Sequence, residues 1–272
     1  MKRALLYRKG GLGDTLLTFP LLEILKRKGF HTTAVGNTDY FAIARHVGWT
    51  DRVLSEKPKE EFDLVIDISL SGNVAPFPEE RRWVLEHYLE LTGLRGEVFS
   101  KVLPLEPLDT SSLKGRVVLH PSSGSSKKNP DISLFRKVEE HLSEMGLEVV
   151  YLVGEADRWV KEEVNNYVES YEPLWIARAL KGARLFVGLD SGLSHLSAYV
   201  GVPTVVIYGP SDPIVWKPVG ERVYQLSLGL ECSPCFPNVC DTRECLEERS
   251  LLERLLPLLD ELLIKVNEDY TL

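Results

Sequence analysis

Five loops in this chain carry residues whose types and spacing suit chemistry. The first reads KGGLGDT from Lys9 and sets Asp14 behind Gly10, Gly11 and Gly13. A dinucleotide fingerprint G-x-G-x-x-G counted from Gly11 needs a third glycine where Leu16 stands, and no Gly-Lys-Ser/Thr follows to make a phosphate loop. Two readings of Asp14 remain. One is a helix N-cap, a role worth about 1 kcal/mol. The other is a general base, whose ionised form a helix N-terminus favours.

The second loop, HPSSGSSKKNP from His120, offers hydroxyls, backbone N–H groups and two lysines, a set suited to anionic oxygens. An ordinary Ser/Gly loop with solvated lysines has the same composition. The third, GLDSGLSHLSAYVG from Gly188, ends a strand at Asp190 and opens a helix at Ser191 and Gly192, with Ser194 and His195 one turn in. Unpaired N–H groups of a first helical turn attract phosphate. A cap at Asp190–Ser191 and a core role for His195 are the structural alternatives. The fourth, YGPSDPIVWKPVG, holds Asp212 and Trp216 on a loop stiffened by proline, where rigid packing is as good a reading as a site. The fifth spaces Cys232, Cys235, Cys240 and Cys245 as C-x2-C-x4-C-x4-C. Four such thiolates can hold zinc tetrahedrally, but the separated pair of C-x-x-C knuckles is missing, so disulfides or free thiols together outweigh metal.

The elements that must position these loops alternate along the chain. Residues 4–9 form a strand and residues 14–28 a helix in which Pro20 imposes a kink or a late start. HTTAVG is a strand, residues 40–47 a short helix, residues 63–69 a strand covered on both faces, and residues 79–94 a helix. Residues 104–115 lack periodicity and read as a linker. The alternation then restarts: strands RVVLHP, LEVVYLVG, RLFVGL and PTVVIYG, with helices over 131–145, 156–169, 174–180 and 191–200, and an amphipathic stretch over 250–265. This order predicts parallel sheets covered by helices, in two α/β domains. Ligands in such sheets bind beyond the carboxyl ends of strands, where these loops lie.

Composition agrees. The 272 residues are 44% hydrophobic and 26% charged, enough for two cores, and the net charge of -8 opposes nonspecific nucleic-acid binding. The apolar run near the start is closed by Arg8 and Lys9, too short for a signal peptide. The uncharged stretch over 191–211 is broken by Gly192, Gly201, Pro203, Gly209 and Pro210 and does not read as a membrane span. A cytoplasmic protein is expected.

Read together, GGLGDTLLTFP, HPSSGSSKKNP, LVG at residues 152–154, FVGLDSGLSHLSAYVGVPTVVIYGPSDPIVWKP and the CSPC…C…C loop resemble, in order and spacing over most of the chain, the heptosyltransferases of glycosyltransferase family 9. DSGLSH followed by GPSDP is the most specific part. The resemblance implies a GT-B fold, two facing Rossmann-like domains with parallel sheets. It gives an acceptor-side domain over 1–105, a nucleotide-sugar domain over 113–249, and a helix over 250–272 crossing back to the first domain. It also implies inverting, metal-independent transfer of a heptose or related sugar from an ADP-sugar to a lipopolysaccharide core acceptor. No cofactor and no nucleic acid take part, and the protein contacts the cytoplasmic face of the inner membrane peripherally.

By the same resemblance Asp14 matches the catalytic base, and Gly10, Gly11 and Gly13 form the acceptor-side loop. Lys127 matches the lysine that neutralises the donor diphosphate, beside Ser122 and Ser123. Asp190, Ser191, Gly192 and His195 match the donor-binding segment, and Glu155 an acid near the ribose. Base and leaving-group clamp then come from opposite domains, so cleft closure assembles the site. Asn129 stands where the family usually has tryptophan, and the first domain is short for the family. Lys26, Arg27 and Lys28, or Arg81 and Arg82, are candidate basic patches for an anionic lipid acceptor, though a solvated helix face explains each as well. Two other classes compete. A nicotinamide-dependent oxidoreductase would need the fingerprint that Leu16 spoils. A non-enzymatic module built on the cysteine loop would leave the Ser/Lys and DSG loops without a purpose.

Overall fold

The computed structural model describes residues 2–238, 240 and 242–269. The first sheet holds β1 (Arg3–Arg8), β2 (His31–Gly36), β3 (Arg52–Leu54) and β4 (Leu64–Asp67), all parallel, in the order β3-β2-β1-β4. Around it lie α1 (Leu12–Leu16), α2 (Phe19–Arg27), α3 (Thr38–His46) and α4 (Val84–Leu91). The second sheet is also parallel, in the order β10-β9-β8-β5-β6-β7. Its strands are β5 (Val117–His120), β6 (Val149–Val153), β7 (Tyr167–Glu169), β8 (Leu185–Leu189), β9 (Thr204–Tyr208) and β10 (Val223–Ser227). Its helices are α5 (Ile132–Glu144), α6 (Pro173–Leu180), α7 (Gly192–Tyr199) and α8 (Glu248–Asp269).

Local chemistry explains most boundaries. The expected helix over 14–28 is two helices, because α2 restarts with Pro20 in its first turn, where a missing N–H breaks no intrahelical bond. Asn37 caps α3 through its side chain, which accepts from the N–H groups of Asp39 and Tyr40, and Asp131 caps α5 by accepting from Ser133. Three expectations fail. Strand β4 is an edge strand with Val65 41% exposed, not one covered on both faces. The helix expected from residue 79 begins only at Val84. Before it, Arg81 reaches Asp212 and Trp83 Nε1 donates to Lys217 O at 2.6 Å, tertiary contacts that a helical backbone there would forgo. The stretch over 156–169 is a 3-10 turn (Glu155–Glu162) followed by β7.

The two sheets share one apolar cluster. Phe19 and Phe41 from the first half meet Tyr199 of α7, with Phe19–Phe41 and Phe19–Tyr199 centroids at 6.1 and 6.4 Å, and Trp49 lies 6.0 Å from the same tyrosine. A second cluster is built on the other face of the second sheet. Helix α8 belongs to it: Leu251, Leu255, Leu259 and Leu262 form an apolar stripe buried with Val117, Phe135 and Val205. His141 of α5 contacts Asp260 at 2.7 Å. This corrects the expected crossing back to the first domain, since the stripe is already covered by α5 and the second sheet; residues 270–272 lie outside the described residues.

Candidate active site

Loops after β1, β4, β5, β6 and β8 line one open cleft of about 1230 Å³. That exceeds the size of a single small-ligand pocket and leaves room for two substrates. Gly10, Gly11, Gly13 and Asp14 line one wall, and Ser123, Glu155, Asp190, Ser191, Gly192 and His195 line the other.

Asp14 is not the N-cap of α1. Gly11 holds that position, and Asp14 lies three residues on, where its Oδ2 accepts the Gly11 N–H at 3.0 Å. Its Oδ1 pairs with Arg8 Nη2 at 2.6 Å. Arg8 is buried at the end of β1, and its Nη1 lies 3.5 Å from Ile68 O, so the guanidinium is held as a fixed support under the carboxylate. Each carboxylate oxygen carries further lone pairs, and the Asp14 side chain is 27% exposed to the cleft. Sequence reasoning missed Arg8. The signal was an arginine closing an apolar strand six residues before the acid.

The glycines of this wall permit close approach. A Cβ on Gly13 would lie 3.2 Å from His195 Cδ2, and one on Gly192 would lie 2.7 Å from Leu12 Cβ. The loop of the first half is thereby seated on the start of α7, so the floor of the cleft is already closed in this structure.

On the opposite wall the two adjacent lysines point in different directions. Lys127 turns away and its Nζ donates to Pro237 O at 2.8 Å. Lys128 faces the cleft, where its Nζ donates to Asp190 O at 2.7 Å and Oδ2 at 3.0 Å, beneath the Phe236 ring at 5.4 Å. The 3-10 turn Ser126–Lys128 sets which of the two neighbours points inward. Asn129, in the place of the usual tryptophan, accepts from Ser123 Oγ at 2.7 Å and ties this loop back on itself. Ser122 is buried with its Oγ 3.4 Å from Ser123 O and does not line the cleft.

Ser191 is the N-cap of α7, accepting from Ser194 N. His195, 4% exposed, leaves Nδ1 without a hydrogen-bond partner. Burial holds its titration below the ordinary value, against the pull of Asp190 and Asp14, with Lys128 adding to the depression. The ring lines the cleft wall as a neutral imidazole, with Nδ1 itself buried and unpartnered. The same wall holds a pair that sequence reasoning did not join: His120 Nε2 is 3.1 Å from Asp157 Oδ2. Burial pushes the Asp157 carboxyl up, but the hydrogen bond and charge of His120 and the Gly154 N–H leave it below the ordinary carboxylate value.

Trp216 lines the cleft and meets Phe77 of the first half edge-on at 6.0 Å, whereas Asp212 is a structural anchor: its carboxylate accepts from Arg81 Nε at 2.5 Å. The cysteine loop packs over the 123–129 loop through Phe236 and through Arg243, which donates to Asn129 O. Among the described residues no three His, Cys, Asp or Glu side chains gather as around a metal ion. Burial first, and then the neighbouring thiols, push Cys235 and Cys245 up. The candidate basic patches are spent on partners: Lys26 on Asp51, Lys28 on Glu97, Arg81 on Asp212 and Arg82 on Glu90. Among the described residues no helix is long and apolar enough to cross a membrane.

Residues 105–246 match the model of glycosyltransferase family 9 (heptosyltransferase). The chain is 29% identical over 146 residues to lipopolysaccharide heptosyltransferase 1 of Pseudomonas aeruginosa, a match covering 50% of this chain and 40% of that protein's length. Among solved structures it is similar to the ADP-heptose lipopolysaccharide heptosyltransferase II of E. coli, with a TM-score of 0.72 at 15% identity over 97% of this chain and 99% of that one. The E. coli heptosyltransferase WaaC with ADP gives 0.69 at 16% identity, again over 97% and 99%. These likenesses show the fold, GT-B with two parallel sheets. The chain belongs to glycosyltransferase family 9, the heptosyltransferase family.

Proposed function

We propose that this chain is an inverting glycosyltransferase that moves a heptose, or a related sugar, from an ADP-sugar to a lipopolysaccharide core acceptor without a metal. One observation carries the reading. A carboxylate on a fixed arginine (Asp14 on Arg8) faces an anion-suited wall of Lys128, His195 and the start of α7 across one cleft. Family membership and the ADP-heptose enzymes among the structural relatives support the donor class. Residues 1–105 serve as the acceptor side and residues 113–249 as the donor side, and the protein works at the cytoplasmic face of the inner membrane.

The chemistry follows from the two walls. Asp14 takes the proton of the acceptor hydroxyl as that oxygen attacks the anomeric carbon, and the bond from that carbon to the diphosphate breaks on the opposite face, inverting the centre. Negative charge grows on the departing diphosphate. Lys128 and the free N–H groups of the first turn of α7 receive it, and His195 lines the wall beside them. Glu155, exposed on the same wall, is assigned to accept from a ribose hydroxyl of the donor. The test is incubation with ADP-heptose and a heptose-free lipopolysaccharide core, with the product read by mass spectrometry and its anomeric configuration by NMR. An inverted heptosyl product is expected. No product with any ADP-sugar, together with no ADP binding, would overturn the reading.

A further inference from the structure

Asp157, His120 and Ser191 come from three separate stretches of the second half and meet in one buried line. Their exposures are 4%, 4% and 9%. His120 closes β5, Asp157 sits at the one residue of the 3-10 turn Glu155–Glu162 whose backbone is not helical, and Ser191 caps α7. His120 Nε2 lies 3.1 Å from Asp157 Oδ2, and His120 Nδ1 lies 3.5 Å from Ser191 Oγ. Both ring nitrogens are therefore engaged.

The direction of each bond follows from what the partners can do. An ionised Asp157 only accepts, and one of its oxygens already takes the Gly154 N–H at 3.0 Å. The proton of the His120–Asp157 bond thus sits on Nε2. In a neutral ring Nδ1 is then bare and must accept. Ser194 Oγ, the neighbouring hydroxyl, is committed to Leu189 O at 2.5 Å. Ser191 Oγ lies 3.4 Å from Ser194 Oγ as well as 3.5 Å from Nδ1; its one proton is assigned to the bare Nδ1, the stronger acceptor, and the Ser191 oxygen is left to accept the Ser194 N–H as the cap of α7.

We infer that Asp157 and His120 are positioning residues of the donor wall: they fix the imidazole tautomer, the tautomer fixes the Ser191 rotamer, and that rotamer keeps the first turn of α7 open toward the leaving diphosphate. Neither residue is asked to touch the reacting atoms. The inference rests on the reading of that wall as the donor site. It reassigns Ser191 from a direct donor contact to the last link of a chain that begins at Asp157. It also gives a role to Asp157, beyond the exposed Glu155 two residues before it.

The test compares wild type with Asp157→Asn and His120→Gln. In the ligand-free proteins, ¹⁵N–¹H correlation spectra report histidine tautomers, and the His120→Gln spectrum assigns the signal among the 6 histidines. Wild type is expected to hold His120 as the Nε2–H tautomer, and Asp157→Asn to lose that preference, because an amide can donate where the carboxylate could only accept. ADP titration of Asp157→Asn is expected to show affinity reduced about tenfold, with the acceptor KM unchanged. Ser191→Thr, which keeps the hydroxyl, is expected to bind ADP better than Ser191→Ala. An Nδ1–H tautomer in wild type, or an Asp157→Asn protein with unchanged tautomer and unchanged ADP affinity, overturns the inference. If Asp157→Asn proves unstable, the wild-type tautomer and the Ser191 pair decide it. Failure of wild type to bind ADP strikes the donor-site reading instead, and the tautomer result stands apart from it.

Discussion

Gly13 and Gly192 meet backbone to backbone across the two halves of the protein: a Cβ on Gly13 would lie 3.6 Å from Gly192 Cα, and one on Gly192 would lie 3.1 Å from Gly13 N. The contact sets the spacing between Asp14, one residue past Gly13, and the first turn of α7. Neither glycine sits at a positive φ, so the requirement is for space and not for backbone freedom.

Gly192→Ala is therefore expected to push the Leu12–Gly13 loop away from α7. Misplacing a reacting group by about 1 Å can cost roughly 100-fold in rate. Turnover should fall by about that factor, with ADP affinity much less affected, since Lys128 and His195 stay in place. Steady-state kinetics beside an ADP titration check this. A variant with wild-type turnover would show that the glycine contact does not set the catalytic distance.

The two adjacent lysines separate cleanly. Lys128 reaches Asp190 inside the cleft, while Lys127 rests on Pro237 O outside it. Lys128→Ala should weaken ADP binding about tenfold or more, as loss of a charge-assisted contact does. Lys127→Ala should change it little. Calorimetric titration of both variants decides, and the reverse order would return the clamp to Lys127.

His195 gives a pH signature. The unfolded chain takes up its proton near the ordinary value of 6.5, while burial holds the folded-state titration lower. Between those two values the unfolded state binds more protons, so stability is full above about pH 6.5 and falls as the pH drops below it, by at most about 1.4 kcal/mol per pH unit from this group. His195→Gln should lose that share of the slope. Urea unfolding at several pH values between 7.5 and 5 measures it. An identical slope in both proteins would show that His195 titrates normally in the fold.

Much of this was readable from the chain. Strand ends, parallel sheets and the residues of the glycine and DSG loops follow from alternation and from where apolar runs stop. The failures have physical causes. Lys127 and Lys128 are alike in type, so the chain alone does not say which of them the 3-10 turn aims at the cleft. Strands β3 and β7 are only three residues long, and β10 is an edge strand with a largely uncovered face, so none of them shows a clear apolar run. The Asp157–His120 pair spans 37 residues, and no local pattern joins its members. Arg81 and Trp83 gave up helix for contacts with the far half of the molecule, which no local propensity records. The leucine stripe of α8 was legible, but not the surface it would cover.

The central claim is that Asp14, held by Arg8 and the Gly11 N–H, takes the acceptor's proton. Asp14→Asn keeps the shape and removes the base. Single-turnover transfer from ADP-heptose, measured with saturating donor, tests it most directly. The prediction is a rate reduced by about 10²- to 10⁴-fold with ADP affinity close to wild type. A variant that transfers at near-normal rate, or one that loses ADP binding in proportion to its rate, would contradict the assignment.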